Sequence, residues 1–339
     1  MYTDLAKEKE FYSKKFSFSY SSLSKLLYAP SLFYKDYILL NREEKLGKHL
    51  IEGKLIHCLL FEPKQLTSKF NIVPGKVPPD SVKSVLNLLK DLTKEKDIRI
   101  NNPELKTAIL SALKTADLYQ AFVDDKKTGE TGNQKRLNKI QTDDNQVYWE
   151  FINNSSVDVV DNEMLERCKA QVEILKDHKD VQELFENIQT DFPLDPVQSY
   201  AEKLLTTALE NKPFDIKGIL DYYKVNSETK SVVICDLKTT SSTITQFAES
   251  VERYNYWLQA AMYYKLVLSN LTSEEQTYNI VFKFVVIDKY NQVYVFSVSD
   301  ETMMQWGERL LDTLNQAEYH YINKDYSLPF HYLTNIITL

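Results

Sequence analysis

Cysteine is scarce in this sequence, and the few cysteines are isolated from one another. The 339 residues include three of them, Cys58, Cys168 and Cys235, which lie far apart and form no C-x-x-C pair. This spacing argues against a disulfide scaffold, a zinc ribbon and an iron–sulfur cluster. It favours a reducing interior as the setting of the protein.

Glycine, proline and long apolar runs are scarce as well. Seven glycines and ten prolines interrupt the chain, so long helices should dominate. No stretch of about 18 consecutive apolar residues occurs, and the N-terminal segment MYTDLAKEKEFYSKK is charged. The sequence therefore predicts neither a membrane span nor a signal peptide.

A positive net charge is also missing. The formal net charge of -7 argues against a protein that coats nucleic acid through bulk electrostatics. An enzyme that cuts nucleic acid is not excluded, because it clusters carboxylates to hold its cations and needs only a local basic track for the phosphates. Net charge therefore decides little about function.

The chain has the composition of a folded, soluble protein, with 43% hydrophobic and 26% charged residues. Its length favours about two domains, or one elaborated domain. Helical spacing in the first 63 residues predicts helices, and the polar stretch 124–146 predicts a loop or a hairpin tip. Later in the chain, alternation and apolar periodicity predict strands at 198–209, 214–225, 231–238, 278–287 and 292–298, and helices at 161–188, 245–269 and 300–323. This order predicts an α/β sheet with helices on its faces.

The run SVVICDLKTT, residues 231–240, is the most informative segment. Side chains two apart on a strand point to the same face, so Asp236 and Lys238 should emerge side by side. Placing an acid and an amine on an otherwise apolar strand face costs stability unless they are used. One use is phosphodiester hydrolysis, in which the carboxylate holds a divalent cation and the ammonium positions the attacking water. A salt bridge at a strand end is the alternative explanation of this motif alone.

The preceding predicted strand, within KPFDIKGILDYY, leads into a second acid, Asp221. A short turn should pair the two strands as a hairpin and bring Asp221 near Asp236 if the registers match. Two carboxylates that converge with a lysine indicate a site for Mg²⁺ or Mn²⁺, which prefer oxygen ligands. Gly218 permits a close backbone approach within the same strand.

The combination GILDYY and VVICDLKTT resembles the PD-(D/E)XK nuclease superfamily, in particular RecB-type nuclease domains and RecE-type phage exonucleases. Two further signatures of that family occur in the expected order. A downstream helix carries Q-x-x-x-Y at Gln259 and Tyr263, and an upstream helix carries G-x-x-x-H at Gly53 and His57. A serine-rich helix that ends at a proline precedes them, in YSSLSKLLYAPSLF. Alanine stands where many relatives have cysteine before that proline, which excludes the iron–sulfur version of this domain.

The resemblance implies a restriction-endonuclease-like core, with a mixed central sheet flanked by helices and an N-terminal helical part. We expect N-terminal helices in 1–63, a variable insertion in 64–160, the nuclease core in 161–325 and a tail in 326–339. The implied site consists of the metal ligands His57, Asp221, Asp236 and the Leu237 carbonyl, the catalytic lysine Lys238, and the DNA-contacting residues Gln259 and Tyr263. Thr239 and Thr240 follow the lysine and are candidate phosphate contacts.

The resemblance further implies a DNA exonuclease that uses one or two Mg²⁺ or Mn²⁺ ions and attacks linear duplex or single-strand ends. Phage recombination or replication, or DNA repair, in the cytoplasm of a bacterial or phage-infected cell would be its setting. A single-strand annealing protein and a homo-oligomer are candidate partners, and no membrane is expected. An endonuclease of the same fold and an inactive DNA-binding or assembly module remain the alternatives.

The sequence allows two interpretations of each of three further features. Glu202 is either an extra acid of the site or part of a solvated face. The aromatic residues Tyr254, Tyr256 and Trp257 either pack in the fold or stack unpaired bases. The basic residues between Lys126 and Arg136 belong either to a solvated loop or to a flap that grips DNA.

Overall fold

The computed structural model describes residues 2–42, 48–73, 77–154, 157–185 and 196–335. Its helices are α1 (Tyr2–Ser13), α2 (Tyr20–Tyr28), α3 (Pro30–Phe33), α4 (Lys48–Phe61), α5 (Leu66–Lys69), α6 (Asp80–Leu92), α7 (Pro103–Thr115), α8 (Gly132–Ile140), α9 (Asp143–Asn154), α10 (Asn162–Asp177), α11 (Lys179–Leu184), α12 (Phe247–Arg253), α13 (Tyr256–Asn270), α14 (Asp300–Asn323) and α15 (Phe330–Thr334). Its strands are β1 (Ser17–Phe18), β2 (Phe70–Val73), β3 (Asp158–Asp161), β4 (Val197–Ala208), β5 (Asp215–Asn226), β6 (Ser231–Thr240), β7 (Asn279–Asp288) and β8 (Val293–Ser297).

The chain divides into two compact units. Residues 1–44 and 174–339 form the first, called here the sheet unit, and residues 45–173 form the second, the helical unit. Each unit has its own hydrophobic core. In the helical unit, helices α6 to α9 pack around the fully buried Trp149, whose indole N–H donates to the carbonyl oxygen of Glu95 at 2.9 Å. Strands β2 and β3 form a short parallel pair in this unit.

Among the residues that the structure describes, the sheet unit has six strands in the order β1-β5-β6-β7-β8, with β4 paired to β5. Strand β6 runs antiparallel to β5 and parallel to β7, so the sheet is mixed. This confirms the mixed central sheet expected from the sequence. The predicted strands agree with the observed ones to within about two residues, because β-branched and aromatic runs are bounded by clear turns.

Strand β5 changes partners along its length. One edge pairs with β4 from Asp215 to Asn226, while the other pairs with β1 at its first two residues and with β6 only from Tyr222 onward. The edge of β5 that faces β6 is therefore free of ladder pairs just before Tyr222. Asp221 lies at this point of divergence, one step beyond the last pair of Tyr222 with Cys235.

The turn between β5 and β6 fixes their register. The Asn226 side-chain oxygen accepts hydrogen bonds from the backbone N–H groups of Glu228 and Thr229, both at 3.0 Å. Such an Asx turn is a favoured way to reverse the chain. The predicted hairpin is confirmed, and its register brings Asp221 and Asp236 to the point just beyond the last pair of Tyr222 with Cys235.

Helix α13 covers the sheet beside this hairpin. Leu258, Met262 and Leu266 are fully buried in the core of the sheet unit. The helix lies so close to β5 that a Cβ atom on Gly218 would stand 2.8 Å from the Tyr263 ring and 3.0 Å from Leu266. The close approach expected at Gly218 is therefore present, and Tyr263 is the residue that uses it.

Two helices predicted from the sequence are corrected by the structure. The helix predicted over 245–269 is two helices, α12 and α13, because Asn255 takes a left-handed conformation (φ 56°). Asparagine tolerates that region better than most residues. The single helix predicted over 161–188 breaks at His178 between α10 and α11, and β3 occupies residue 161. Residues 186–188 of that prediction lie outside the described chain.

The segment 124–146 is also not simply a loop. It contains helix α8, whose N-cap Thr131 accepts from the backbone N–H of Gln134. The guanidinium of Arg136 donates to the carbonyl oxygens of Tyr119, Gln120 and Phe122. Arg136 therefore ties helix α8 to the segment 119–122. The charge pattern of the sequence did not indicate this structural role. Among the described residues, no helix combines the length and apolarity that crossing a bilayer requires.

Candidate active site

The D-x-K pair of β6 lies inside the sheet unit as a buried ion pair. Asp236 is 0% exposed, and its Oδ2 atom lies 2.5 Å from the Lys238 Nζ atom. The side chain of Lys238 is 13% exposed, so the ammonium lies at the border between the core and solvent. Because removing either partner of such a pair leaves a buried charge, both positions are strongly constrained.

Helix α13 holds the lysine from the other side. The Lys238 ammonium donates to the Gln259 side-chain oxygen at 2.8 Å, and the Gln259 amide donates to the Tyr263 hydroxyl at 3.0 Å. The Tyr256 ring completes this setting, with its centroid 4.6 Å from the Lys238 Nζ atom. A cation over an aromatic face is attracted by the ring quadrupole. The amine therefore has a defined position before any substrate arrives.

Asp221 joins the two strands where their ladder ends. Its Oδ2 atom accepts the backbone N–H of Leu237 at 2.7 Å. This bond replaces a ladder pair and brings the carboxylate beside the D-x-K pair. Asp221 is 8% exposed, so a second carboxylate is buried close to the first. The structure thus brings together the two acids and the lysine that the sequence indicated.

Glu202 is a third acid at this place. The pairs on either side of it, Ala201 with Tyr222 and Lys203 with Leu220, place it opposite Asp221. A carboxylate oxygen of Glu202 lies within 4.8 Å of one of Asp221. Its backbone has a φ of 47°, which is costly for a residue with a side chain. The sequence offered no signal for this backbone conformation of Glu202, since it depends on the pairing of β4 with β5.

The electrostatics of the site follow from this crowding. Burial opposes the charged form of Lys238, but the carboxylates of Asp236 and Asp221 outweigh it and raise the pKa of the lysine. Burial raises the pKa of the Tyr263 hydroxyl well above its usual range, and the same two carboxylates act in the same direction. Tyr263 is therefore a neutral hydrogen-bonding group, and Lys238 is an ammonium.

The remaining predicted site residues have different surroundings. Gln259 and Tyr263 are buried, at 7% and 6% exposure, and contact the lysine chain described above. Thr239 and Thr240 are half-buried at the end of β6. His57 is half-buried on α4 of the helical unit, where its ring centroid lies 5.9 Å from that of Phe61. Its role as a ligand stays a prediction, as do the DNA contacts of the other four.

The chemistry of the donors fits a divalent cation. Asp221, Asp236 and Glu202 supply carboxylate oxygens, which Mg²⁺ and Mn²⁺ prefer. Asp221 and Asp236 act on the Lys238 ammonium, and Glu202 lies close to Asp221. Carboxylates crowded in this way are costly unless a cation compensates their charge. The backbone of Glu202 is in a strained conformation beside these carboxylates. Strained residues of this kind cluster at functional sites.

The structure thus combines a mixed sheet with a buried acid and lysine beside a second acid. The sequence matches the model of the PD-(D/E)XK nuclease superfamily over residues 17–325, and the chain therefore belongs to this superfamily. The match includes the whole hairpin of β5 and β6 and helix α13. The expected fold class is thereby confirmed.

Comparison with solved structures gives distant likenesses. A candidate exonuclease from Eubacterium rectale is 11% identical with a TM-score of 0.42, over 92% of this chain and 84% of that chain. A protein named SSO0001 is 13% identical with a TM-score of 0.21, over 42% of this chain and 61% of that chain. No curated protein matches the sequence significantly. The assignment to the superfamily rests on the family match.

Proposed function

We propose that the protein is a divalent-metal-dependent DNA exonuclease. The observation that carries the proposal is the convergence of Asp221, Asp236 and Lys238 where β5 and β6 diverge. The choice of DNA ends as substrate follows from the resemblance of the D-x-K, Q-x-x-x-Y and G-x-x-x-H motifs to RecB-type and RecE-type nucleases. A role in phage recombination or replication, or in repair, with an annealing partner and a homo-oligomeric state, belongs to the same proposal.

The metal would be held by Asp221 and Asp236, with His57 and the Leu237 carbonyl as further ligands and Glu202 as an additional acid. A bound divalent ion would offset the charge of the scissile phosphate and lower the pKa of an attacking water. Glu202 supports this proposal through its proximity to Asp221.

Lys238 would hold a proton on Nζ and donate it as a hydrogen bond to the attacking water or to a phosphate oxygen. Gln259 and Tyr256 keep the ammonium in place for this contact. Thr239 and Thr240, which follow Lys238 at the end of β6, would offer hydroxyl groups to the substrate phosphates. Gln259 and Tyr263 would support the strand near the scissile phosphate.

The test compares end-labelled linear duplex with closed-circular duplex in Mg²⁺ or Mn²⁺. We expect the linear DNA to be degraded from its ends, the circle to stay intact, and EDTA to stop the reaction. Asp236→Asn should abolish degradation, whereas Asp312→Asn, which removes an exposed acid of α14, should behave like the wild type.

Each of the other outcomes would assign a different activity to this protein. Cleavage of the closed circle would assign an endonuclease. DNA binding without cleavage of either substrate would assign an inactive binding module. Undiminished degradation in excess EDTA would exclude the metal-dependent reaction.

A further inference from the structure

Two neighbouring tyrosines, one of them in contact with the active-site lysine, include an exposed ring that core packing does not explain. They are Tyr254 and Tyr256, called here the tyrosine platform, on either side of the break between α12 and α13. Their ring centroids lie 5.6 Å apart with an interplanar angle of 35°. The Tyr254 side chain is 52% exposed, so its ring contributes little buried area to the fold.

The platform begins at the catalytic centre. The Tyr256 ring lies 4.6 Å from the Lys238 Nζ atom and packs on its other side against Phe247 and Phe284. The Tyr254 ring is a direct neighbour of the Tyr256 ring. A phosphate that meets the ammonium would thus lie near the Tyr256 ring, and the exposed Tyr254 ring is the neighbour of that ring.

The backbone that carries the platform is fixed on several sides. The Tyr20 hydroxyl on α2 donates to the Tyr254 carbonyl oxygen. The Asn255 side chain donates to the Ser24 hydroxyl at 3.1 Å and accepts from the Trp257 indole N–H at 3.3 Å. Asn255 itself is in the left-handed region, with a φ of 56°. These contacts hold the backbone that carries the two rings and leave the Tyr254 ring itself exposed.

An exposed aromatic ring, adjacent to a second ring that contacts a cation, suits the binding of a nucleobase and its phosphate. Every base has a π-face, so stacking tolerates any sequence, and it requires that the base be unpaired. A base inside a duplex is already stacked on its neighbours and presents only its edges in the grooves.

We propose that the tyrosine platform is a stacking site for an unpaired nucleobase adjacent to the scissile phosphate. The substrate end taken up by the enzyme is accordingly single-stranded or frayed. This inference rests on the proposed nuclease function for the identity of the adjacent phosphate. It adds the chemical class of ligand, an unpaired base, and the residues that hold it.

The binding test uses a single-stranded oligonucleotide with 2-aminopurine at its end, in EDTA so that no cleavage occurs. Stacking on the platform should quench the fluorescence of the wild-type complex. Tyr254→Ala should remove the quenching and weaken binding about tenfold. Tyr254→Phe retains the ring and should behave like the wild type.

The matched control is Tyr332→Ala, which removes an equally exposed tyrosine (60%) on α15. It should change neither quenching nor affinity. The Tyr254 carbonyl that pairs with Tyr20 is a backbone group, so Tyr254→Ala keeps that hydrogen bond. We expect the melting temperatures of Tyr254→Ala and the wild type to agree.

The cleavage test uses strands in which the terminal nucleotide is abasic. The wild type should cut these about tenfold more slowly than intact strands, while Tyr254→Ala should cut both equally slowly. A wild type that cuts DNA while Tyr254→Ala leaves quenching and affinity unchanged overturns the stacking site alone. If quenching depends on Tyr254 but the wild-type protein does not cut DNA, the proposed nuclease function is wrong and the stacking site stands.

Discussion

Lys238 is held by three groups of different chemistry: the Asp236 carboxylate, the Gln259 amide oxygen and the Tyr256 ring. Each contact favours the charged amine, and together they restrict its position more than a surface lysine would allow. The ammonium is thus a positioned hydrogen-bond donor, because the carboxylates raise its pKa.

The first prediction separates the lysine from the metal ligands. Lys238→Ala should lower turnover about 10²- to 10⁴-fold, because it removes a positioned proton donor. Mn²⁺ binding should persist in this variant, since the carboxylates remain. Asp236→Asn should lose Mn²⁺ affinity as well as activity. Isothermal calorimetry with Mn²⁺ and a single-turnover nuclease assay measure the two effects.

Lys217→Ala, at an exposed position of β5, is the control for the loss of a lysine and should match the wild type. Removing one partner of a buried pair also destabilises a fold. Melting curves recorded with Mn²⁺ therefore accompany the assay. Full turnover by a folded Lys238→Ala would contradict the role given to the lysine.

The second prediction concerns the close contact at Gly218. Gly218→Ala would place a Cβ atom 2.8 Å from the Tyr263 ring, which must then move. Overpacking of this kind costs about 1–3 kcal/mol of unfolding free energy. Turnover should fall too, because Tyr263 anchors the Gln259 amide that holds Lys238.

Gly307→Ala is the matched control, because nothing lies within 4 Å of its added Cβ atom on α14. This change should stabilise the helix by about 0.5–1 kcal/mol. Urea denaturation of both variants measures the difference. Equal effects of the two substitutions would show that the contact with Tyr263 is unimportant.

At the scale of elements, helix α14 ends in a buried histidine that makes the sheet unit sensitive to pH. His320 is 2% exposed, its Nδ1–H donates to the Asp325 carbonyl oxygen at 2.5 Å, and its ring stacks on Tyr326. Burial lowers the pKa of the imidazole below 6.5, and the contacts with Asp325 only partly offset this.

The third prediction follows from the sign of that shift. The unfolded chain binds the His320 proton at a higher pH than the folded chain, so the free energy of unfolding should fall as pH falls below about 6.5. His320→Gln should remove the contribution of this imidazole, so that the free energy of unfolding changes less between about pH 7.5 and 5.5. His331→Gln, at an exposed position on α15, should keep the wild-type slope. Urea titrations across this range measure it, and equal slopes for all three proteins would contradict it.

At the scale of the whole molecule, the three cysteines report separately on the two units. Cys235 lies in the sheet unit, and Cys58 and Cys168 lie in the helical unit. All three are buried, at 0%, 2% and 0% exposure respectively. Burial raises the pKa of Cys168 and of Cys235 to about 12, so neither is a thiolate near neutral pH.

The fourth prediction is that each thiol reacts only when its own unit unfolds. An Ellman-type reagent near pH 8 should label the native protein slowly and the urea-unfolded protein at once. Cys235→Ala leaves the two reporters of the helical unit, and Cys58→Ala with Cys168→Ala leaves the reporter of the sheet unit. Rapid labelling of Cys235 without denaturant would contradict the burial of β6.

The sequence by itself determined the strands, the hairpin and the acid–acid–lysine set. These depend on local rules: a period of two along β5 and β6, and an Asx turn at Asn226 that sets their register. Since the register follows from the turn, the convergence of Asp221 with Asp236 and Lys238 was predictable. The helix break at Asn255 was not, because the apolar periodicity continues across it while the left-handed residue is held by Ser24 and Trp257.

Only the tertiary structure decided the surroundings of that set. Glu202 reaches Asp221 because β4 pairs with β5 and turns its backbone there, and Tyr263 approaches Gly218 because α13 packs against the sheet. The Tyr256 ring of α13 contacts the Lys238 ammonium of β6. Such contacts join residues that are far apart in the chain, and no local period or turn constrains which of them will touch. The physical reason is that close packing selects partners by shape across the core, whereas sequence patterns record only which face of an element is buried.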